Sequence, residues 1–223
     1  MRLLFTFLLL IFSKFLLAQD RVFINKDMHD FPSLESYILL YHDTSKNKQI
    51  AEIASRKFKD NFEPYNKINA SKRANSIYWG RILINNNGAT AINLFLILDG
   101  NNYVTLYEES GEIGFKEKFS GELEQASLKD VRGSRKEAIF EITLLPNQEK
   151  LFYYKVENIT GFKPSLNIRL VKPKTWYTQD KSLFIKDSLF QGMLFIMAVY
   201  SGNSLPLNPG KSLPVFFRKV NAC

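Results

Sequence analysis

Two short stretches of this chain carry aromatic and polar side chains at every second position, a spacing that suits the holding of sugars and small amphipathic molecules. Trp79 and Arg81 lie two residues apart, as do Tyr103, Thr105 and Tyr107 in turn. In a strand, residues i and i+2 share a face, so each set lines one surface, and Val104 and Leu106 take the opposite side. Rings offer flat apolar contact, while hydroxyls and a guanidinium hold polar groups. Trp79, Arg81, Tyr103, Thr105 and Tyr107 are therefore the expected ligand-binding positions. The competing reading makes Trp79 plain core and packs the tyrosines with their hydroxyls at the rim, because large aromatics dominate sandwich cores.

Catalytic chemistry finds little support. His29 and His42 are the only histidines and have no metal-ligand spacing. Cys223 is the single cysteine, so neither an intrachain disulfide nor a cysteine-rich metal site is expected. Nucleophile-elbow, phosphate-loop and dinucleotide patterns are absent, and Gly111-Glu112-Ile113-Gly114 reads as turn chemistry. Asp99, Glu108, Glu109, Glu122 and Glu124 supply carboxylates, but a glycosidase pair is defined by separation in space. No catalytic residue, metal or cofactor is expected. A hydrolase on the same scaffold and a structural or partner-binding envelope protein stand as alternatives.

The formal charge of +8 is unevenly placed. Arg2 and Lys14 lie near the start, and Lys211, Arg218 and Lys219 near the end, in segments without acidic residues. Residues 19–188 keep 25 basic and 22 acidic side chains, a net +3. That mixed surface excludes a nucleic-acid footprint. With 45% hydrophobic residues, 19 Phe and 10 Tyr, the chain has the composition of a folded protein rich in large core side chains.

The first 18 residues read as a secretory signal peptide. Met1-Arg2 precedes the apolar run Leu3–Phe12, and Ala18 stands before the cut. A run of that length is too short to cross a bilayer. The remainder is thus expected in the periplasm or on the outer face of the inner membrane. Residues 19–34 are expected to be irregular, with Pro32 opposing helix. Ser36–His42 reads as a strand ended by Asp43-Thr44-Ser45. Ile50, Ile53, Ala54 and Phe58 then mark one face of a helix over Lys48–Phe58, with Ser45 or Asn47 as its cap. From Ile77 the period becomes two. Strands are expected at Ile77–Ile84, Ala91–Leu98, Tyr103–Tyr107, Glu137–Leu144, Leu151–Val156 and Leu166–Val171, punctuated by Asn-Gly and Asp-Gly turns. This spacing predicts an antiparallel β-sandwich. Residues 120–136 are polar and basic, a mobile loop by composition. A helix is expected to begin near Gln179, and Leu189–Tyr200 is almost wholly apolar but only about 18 Å long as helix.

In order along the chain, four features resemble the type 2 extracellular domain of the bacterial seven-transmembrane receptors with diverse intracellular signalling modules. They are the strand, turn and helix at Tyr37–Phe58, the segment Tyr78-Trp79-Gly80-Arg81-Ile82-Leu83-Ile84-Asn85, the strand Phe152–Glu157, and the run Gln191–Tyr200, which is similar to the start of that family's first membrane helix. The resemblance covers about residues 35–200. It implies a mainly β fold, a jelly-roll sandwich like that of carbohydrate-binding modules, over residues 35–173. It further implies a linker helix and membrane-helix start at 174–200, and a sensor role for a carbohydrate or other small soluble ligand, with the membrane met through Leu189–Tyr200. Residues 201–223 depart from the family pattern and read as an aberrant tail, as a frameshifted or truncated receptor gene would give.

Overall fold

Between Ile77 and Val171 the two-residue alternation does become strand. The computed structural model describes residues 21–28, 31, 33–111, 114–131 and 137–203. The expected signal peptide, His29, Pro32 and the tail beyond Asn203 lie outside these residues. In chain order the elements are β1 (Val22–Ile24), β2 (Leu39–Asp43), α1 (Ile50–Ile53), β3 (Glu63–Pro64), α2 (Tyr65–Ser71), β4 (Ile77–Asn86), β5 (Ile92–Asp99), β6 (Tyr103–Ser110), β7 (Gly114–Ser120), β8 (Glu137–Leu144), β9 (Glu149–Glu157), β10 (Arg169–Val171) and α3 (Pro173–Asn203). The chain divides into two units, Met1–Thr175 and Trp176–Cys223.

The first unit is a mainly β, antiparallel β-sandwich. Among the described residues its large sheet has seven strands, ordered β3-β2-β4-β9-β6-β7 with β1 also on β4, and its small sheet has three, β10-β5-β8. Between the named strands every pairing is antiparallel except β1 with β4. Strand β4 organises the large sheet: β9 lies along one edge, while β2 and β1 share the other, β2 at residues 77–81 and β1 at 84–86. Alternation sends Tyr78, Ile82 and Ile84 of β4, Phe152, Tyr154 and Val156 of β9, and Leu94, Leu96 and Leu98 of β5 into one continuous core. Apolar area removed from water is the main term holding such layers together.

Gly80 belongs to that inner face for a steric reason. A Cβ there would lie 2.0–2.4 Å from the ring and hydroxyl atoms of Tyr154, its partner across the β4–β9 pair. The Tyr154 ring is fully buried and its hydroxyl donates to the Leu166 carbonyl at 3.1 Å. The asparagines that punctuate the sequence are clamps as well as turn residues. Asn101 donates to the Ser165 carbonyl at 2.8 Å and accepts from the Ser165 amide, and Asn102 accepts from Ile159 and Thr160. Buried polar side chains are satisfied in this way.

Several elements differ from expectation. The 19–34 segment is not wholly irregular: Val22 and Ile24 are fully buried because their backbone finds the free C-terminal edge of β4. The expected helix at 48–58 is cut to one turn, α1. Beyond Ala54 the backbone tightens into i→i+3 bonds (Ser55 to Glu52, Phe58 to Ser55, Asn61 to Phe58), which brings Phe58 and Phe62 down on the same sheet face. Isolated helices this short are marginal, and packing decides their length. Helix α2 and strand β7 were not expected. Helix α2 starts directly after Pro64, and β7 is mostly polar and largely exposed at the sheet edge. Near Leu166 only Arg169–Val171 pair as strand.

The second unit continues α3. The helix begins at Pro173 rather than near Gln179, proline being well suited to a first helical position. Phe190, Phe195, Ile196, Met197 and Tyr200 are exposed along it. No helix among the described residues is long and apolar enough to cross a membrane.

Candidate ligand cleft

The outer face of the large sheet carries a second, aromatic core. Ile77 and Trp79 from β4, Tyr107 from β6 and Tyr153 from β9 project away from the inner core and are covered by Ile53, Phe58 and Phe62 of a flap spanning residues 50–62. Rings meet edge to face or tilted: Tyr41 with Phe58 at 4.8 Å, Phe62 with Tyr153 at 6.4 Å and Phe115 with Tyr153 at 5.9 Å between centroids. Such contacts add to simple burial.

The flap is launched by Asp43. This side chain is 1% exposed. Its Oδ1 accepts from the Ser45 amide, the Ser45 hydroxyl and the Lys46 amide at 3.0, 2.6 and 3.0 Å, and its Oδ2 from the Lys48 amide at 3.1 Å. Burial alone would raise its pKa, but these donors outweigh it and hold the carboxyl below its ordinary value. Ser45 and Asn47 serve this turn instead of capping α1, whose N-cap is Gln49 without a side-chain bond.

Between flap and sheet lies a cleft of about 480 Å³. Arg81, Tyr153, Leu83, Leu151 and Glu109 come from the sheet, Ala54, Ser55, Arg56 and Lys59 from the flap, and Arg21 and Glu149 from its edge. Arg81 faces Tyr153 across β4–β9, and Tyr153 faces Tyr107 across β9–β6. The Arg81 guanidinium lies 4.8 Å over the Phe62 ring and beside the Tyr153 side chain, which stabilises its charge. Burial lowers the Arg81 pKa from its ordinary value, opposed by Tyr153 and Asp60. Burial also raises that of Tyr153, against the pull of Arg81. Tyr107 is pushed up to about 12, by burial first and Glu117 second, with the neighbouring Thr105 hydroxyl acting in the opposite sense.

The five sequence-derived positions all stand on this outer face, in registers that the strand pairs define. Their roles divide. Arg81 alone of the five lines the cleft. Trp79 is fully buried and Tyr107 nearly so, their rings stacked at 5.4 Å with an interplanar angle of 29°, so both form its packed surroundings and offer no free ring face. Tyr103 and Thr105 are half-buried and lie outside the lining. Sequence reasoning missed Tyr153 and named Glu109 only as one of several carboxylates, and it missed Arg56 and Lys59. The first two required the β4–β9–β6 register, and the others required knowing that the flap folds back. His42 stacks on Tyr78 at 4.7 Å, and burial lowers its pKa, with Arg73 acting in the same sense.

The model of the family described as 7TMR-DISM extracellular 2 matches residues 35–169. The chain belongs to this family. It is therefore an extracellular domain of the seven-transmembrane signalling receptor type, extracytoplasmic and associated with the membrane. The match spans β2 to the first residue of β10, so it holds the flap and most of both sheets. No curated protein matches the chain.

Proposed function

We propose that the sandwich is a non-catalytic sensor that binds a carbohydrate or another small soluble ligand in the cleft beneath the flap. The observation that carries this reading is the cleft itself, with about 480 Å³ open between an aromatic sheet face and a covering segment. That volume lies in the range of small-molecule sites, and its lining mixes apolar Leu83 and Leu151 with a few convergent polar groups. Tyr153 would supply a ring edge and hydroxyl, and Arg81 a fork of donors. The two-sheet antiparallel architecture supports kinship with jelly-roll carbohydrate-binding modules. A ligand that binds only the folded state raises its apparent stability, so a screen of sugars and metabolites should find at least one that raises the melting temperature. Leu83→Trp, which fills the cleft, should abolish the rise. A broad screen without any shift sinks the proposal, and turnover of a glycoside in the same screen would make the domain an enzyme.

A further inference from the structure

Arg81 is 5% exposed. A buried guanidinium is costly to desolvate and is normally held by a carboxylate. Elsewhere in the domain that pattern holds even for less buried cations: Arg169 meets Asp99 and Glu137 at 2.9 Å, and Lys150 meets Glu108. Among the described residues Arg81 forms no ion pair, and its Nε is buried without an acceptor. Asp60 attracts it through space but is exposed and does not pair with it. The Phe62 ring and the Tyr153 side chain across the strand pair are its company.

The cleft around it is also cationic. Arg21 is spent on Glu149 at 2.8 Å, which leaves Arg56, Lys59 and Arg81 facing the single carboxylate of Glu109. We infer that the ligand of this cleft carries an anionic group, a carboxylate or a phosphate, seated on the Arg81 guanidinium with Arg56 and Lys59 closing over it from the flap. This deepens the sensor reading above and rests on it. The planar donors of arginine match a two-oxygen anion, and the burial of Arg81 strengthens the contact. Arg56 and Lys59 are exposed at the rim and add long-range attraction that salt screens.

The test is calorimetric titration of the purified chain in mild detergent with glucuronate, glucose 6-phosphate, inorganic phosphate and neutral glucose. An acidic sugar should bind at least tenfold more tightly than glucose. Competition by inorganic phosphate identifies phosphate as the anchor, and its failure identifies carboxylate. Arg81→Gln should remove the preference for acid over neutral sugar. Should that variant not fold, the exposed pair Arg56→Gln/Lys59→Gln should still weaken the acidic ligand severalfold and flatten its salt dependence. Equal affinity for glucose and glucuronate, or an acid preference untouched by these substitutions, overturns the inference and leaves the sensor reading standing. No binding by any of the four overturns the inference, whereas the sensor reading falls only if the broad screen is silent too.

Discussion

On its inner face the large sheet meets the small one through Phe152, Tyr154, Ile82 and Leu106, all fully buried in a core drawn from nearly every strand. On its outer face Trp79, Tyr107 and Tyr153 are covered by the flap of residues 50–62, held by short-range turns and ring contacts, with no second sheet over them. Two polar atoms, Trp79 Nε1 and Arg81 Nε, are buried on this side without a partner. Unsatisfied buried donors cost stability, and a fold keeps them most economically where something else completes them. The inner face is built to hold the domain together. The outer one gives up some stability, and the cleft is where that happens.

This contrast can be broken by substitution. Phe152→Ala on the inner face should cost about 3–5 kcal/mol, because the surrounding layers cannot collapse into the space. Phe58→Ala on the flap should cost less than half as much in the same urea titration, since a short segment can resettle. Equal losses would mean that the two layers unfold as one. Asp43→Ala should cost roughly 2 kcal/mol by leaving four donor contacts unmet. Because the folded pKa of Asp43 lies below the unfolded one, its contribution is present above the unfolded value and is lost as pH falls through the folded value. Asp43→Asn should therefore flatten the acid limb of a stability-versus-pH curve. The smallest effect has the opposite sign. Arg81→Met should stabilise the ligand-free domain by about 1 kcal/mol in thermal melts, replacing an unpaired buried charge with apolar contact. A loss of that size would show that Arg81 serves packing.

Much of the fold was legible because alternation at Tyr103–Tyr107, Glu137–Leu144 and Leu151–Val156 is a local signal. Its faces could be assigned from residue types alone. The flap was legible in burial but not in form. Ile50, Ile53, Ala54 and Phe58 do pack together as the spacing implied, yet a single helical turn followed by tight turns achieves it. Strands β1 and β7 were invisible for different reasons: β1 is three residues whose partner is a distant edge, and β7, Gly114–Ser120, carries three charges in place of an apolar run. Of the site, Arg81 could be named because a cation in an apolar alternating run is conspicuous. Tyr153 and the flap cations could not, because strand register and the fold-back of a loop arise only from tertiary packing.

Gly80 has a consequence for the cleft on the other side of its strand. The Tyr154 ring occupies the space a side chain would take there, so the glycine works as a notch and the tyrosine as the tooth that fits it. A two-residue slip of β4 along β9 would set that tooth against Tyr78 or Ile82, both fully or almost fully enclosed, and would shift Arg81 opposite Leu151 or Lys155. The same notch thereby fixes which side chain the guanidinium faces, and one missing methyl group on the sealed side sets the alignment of the open one.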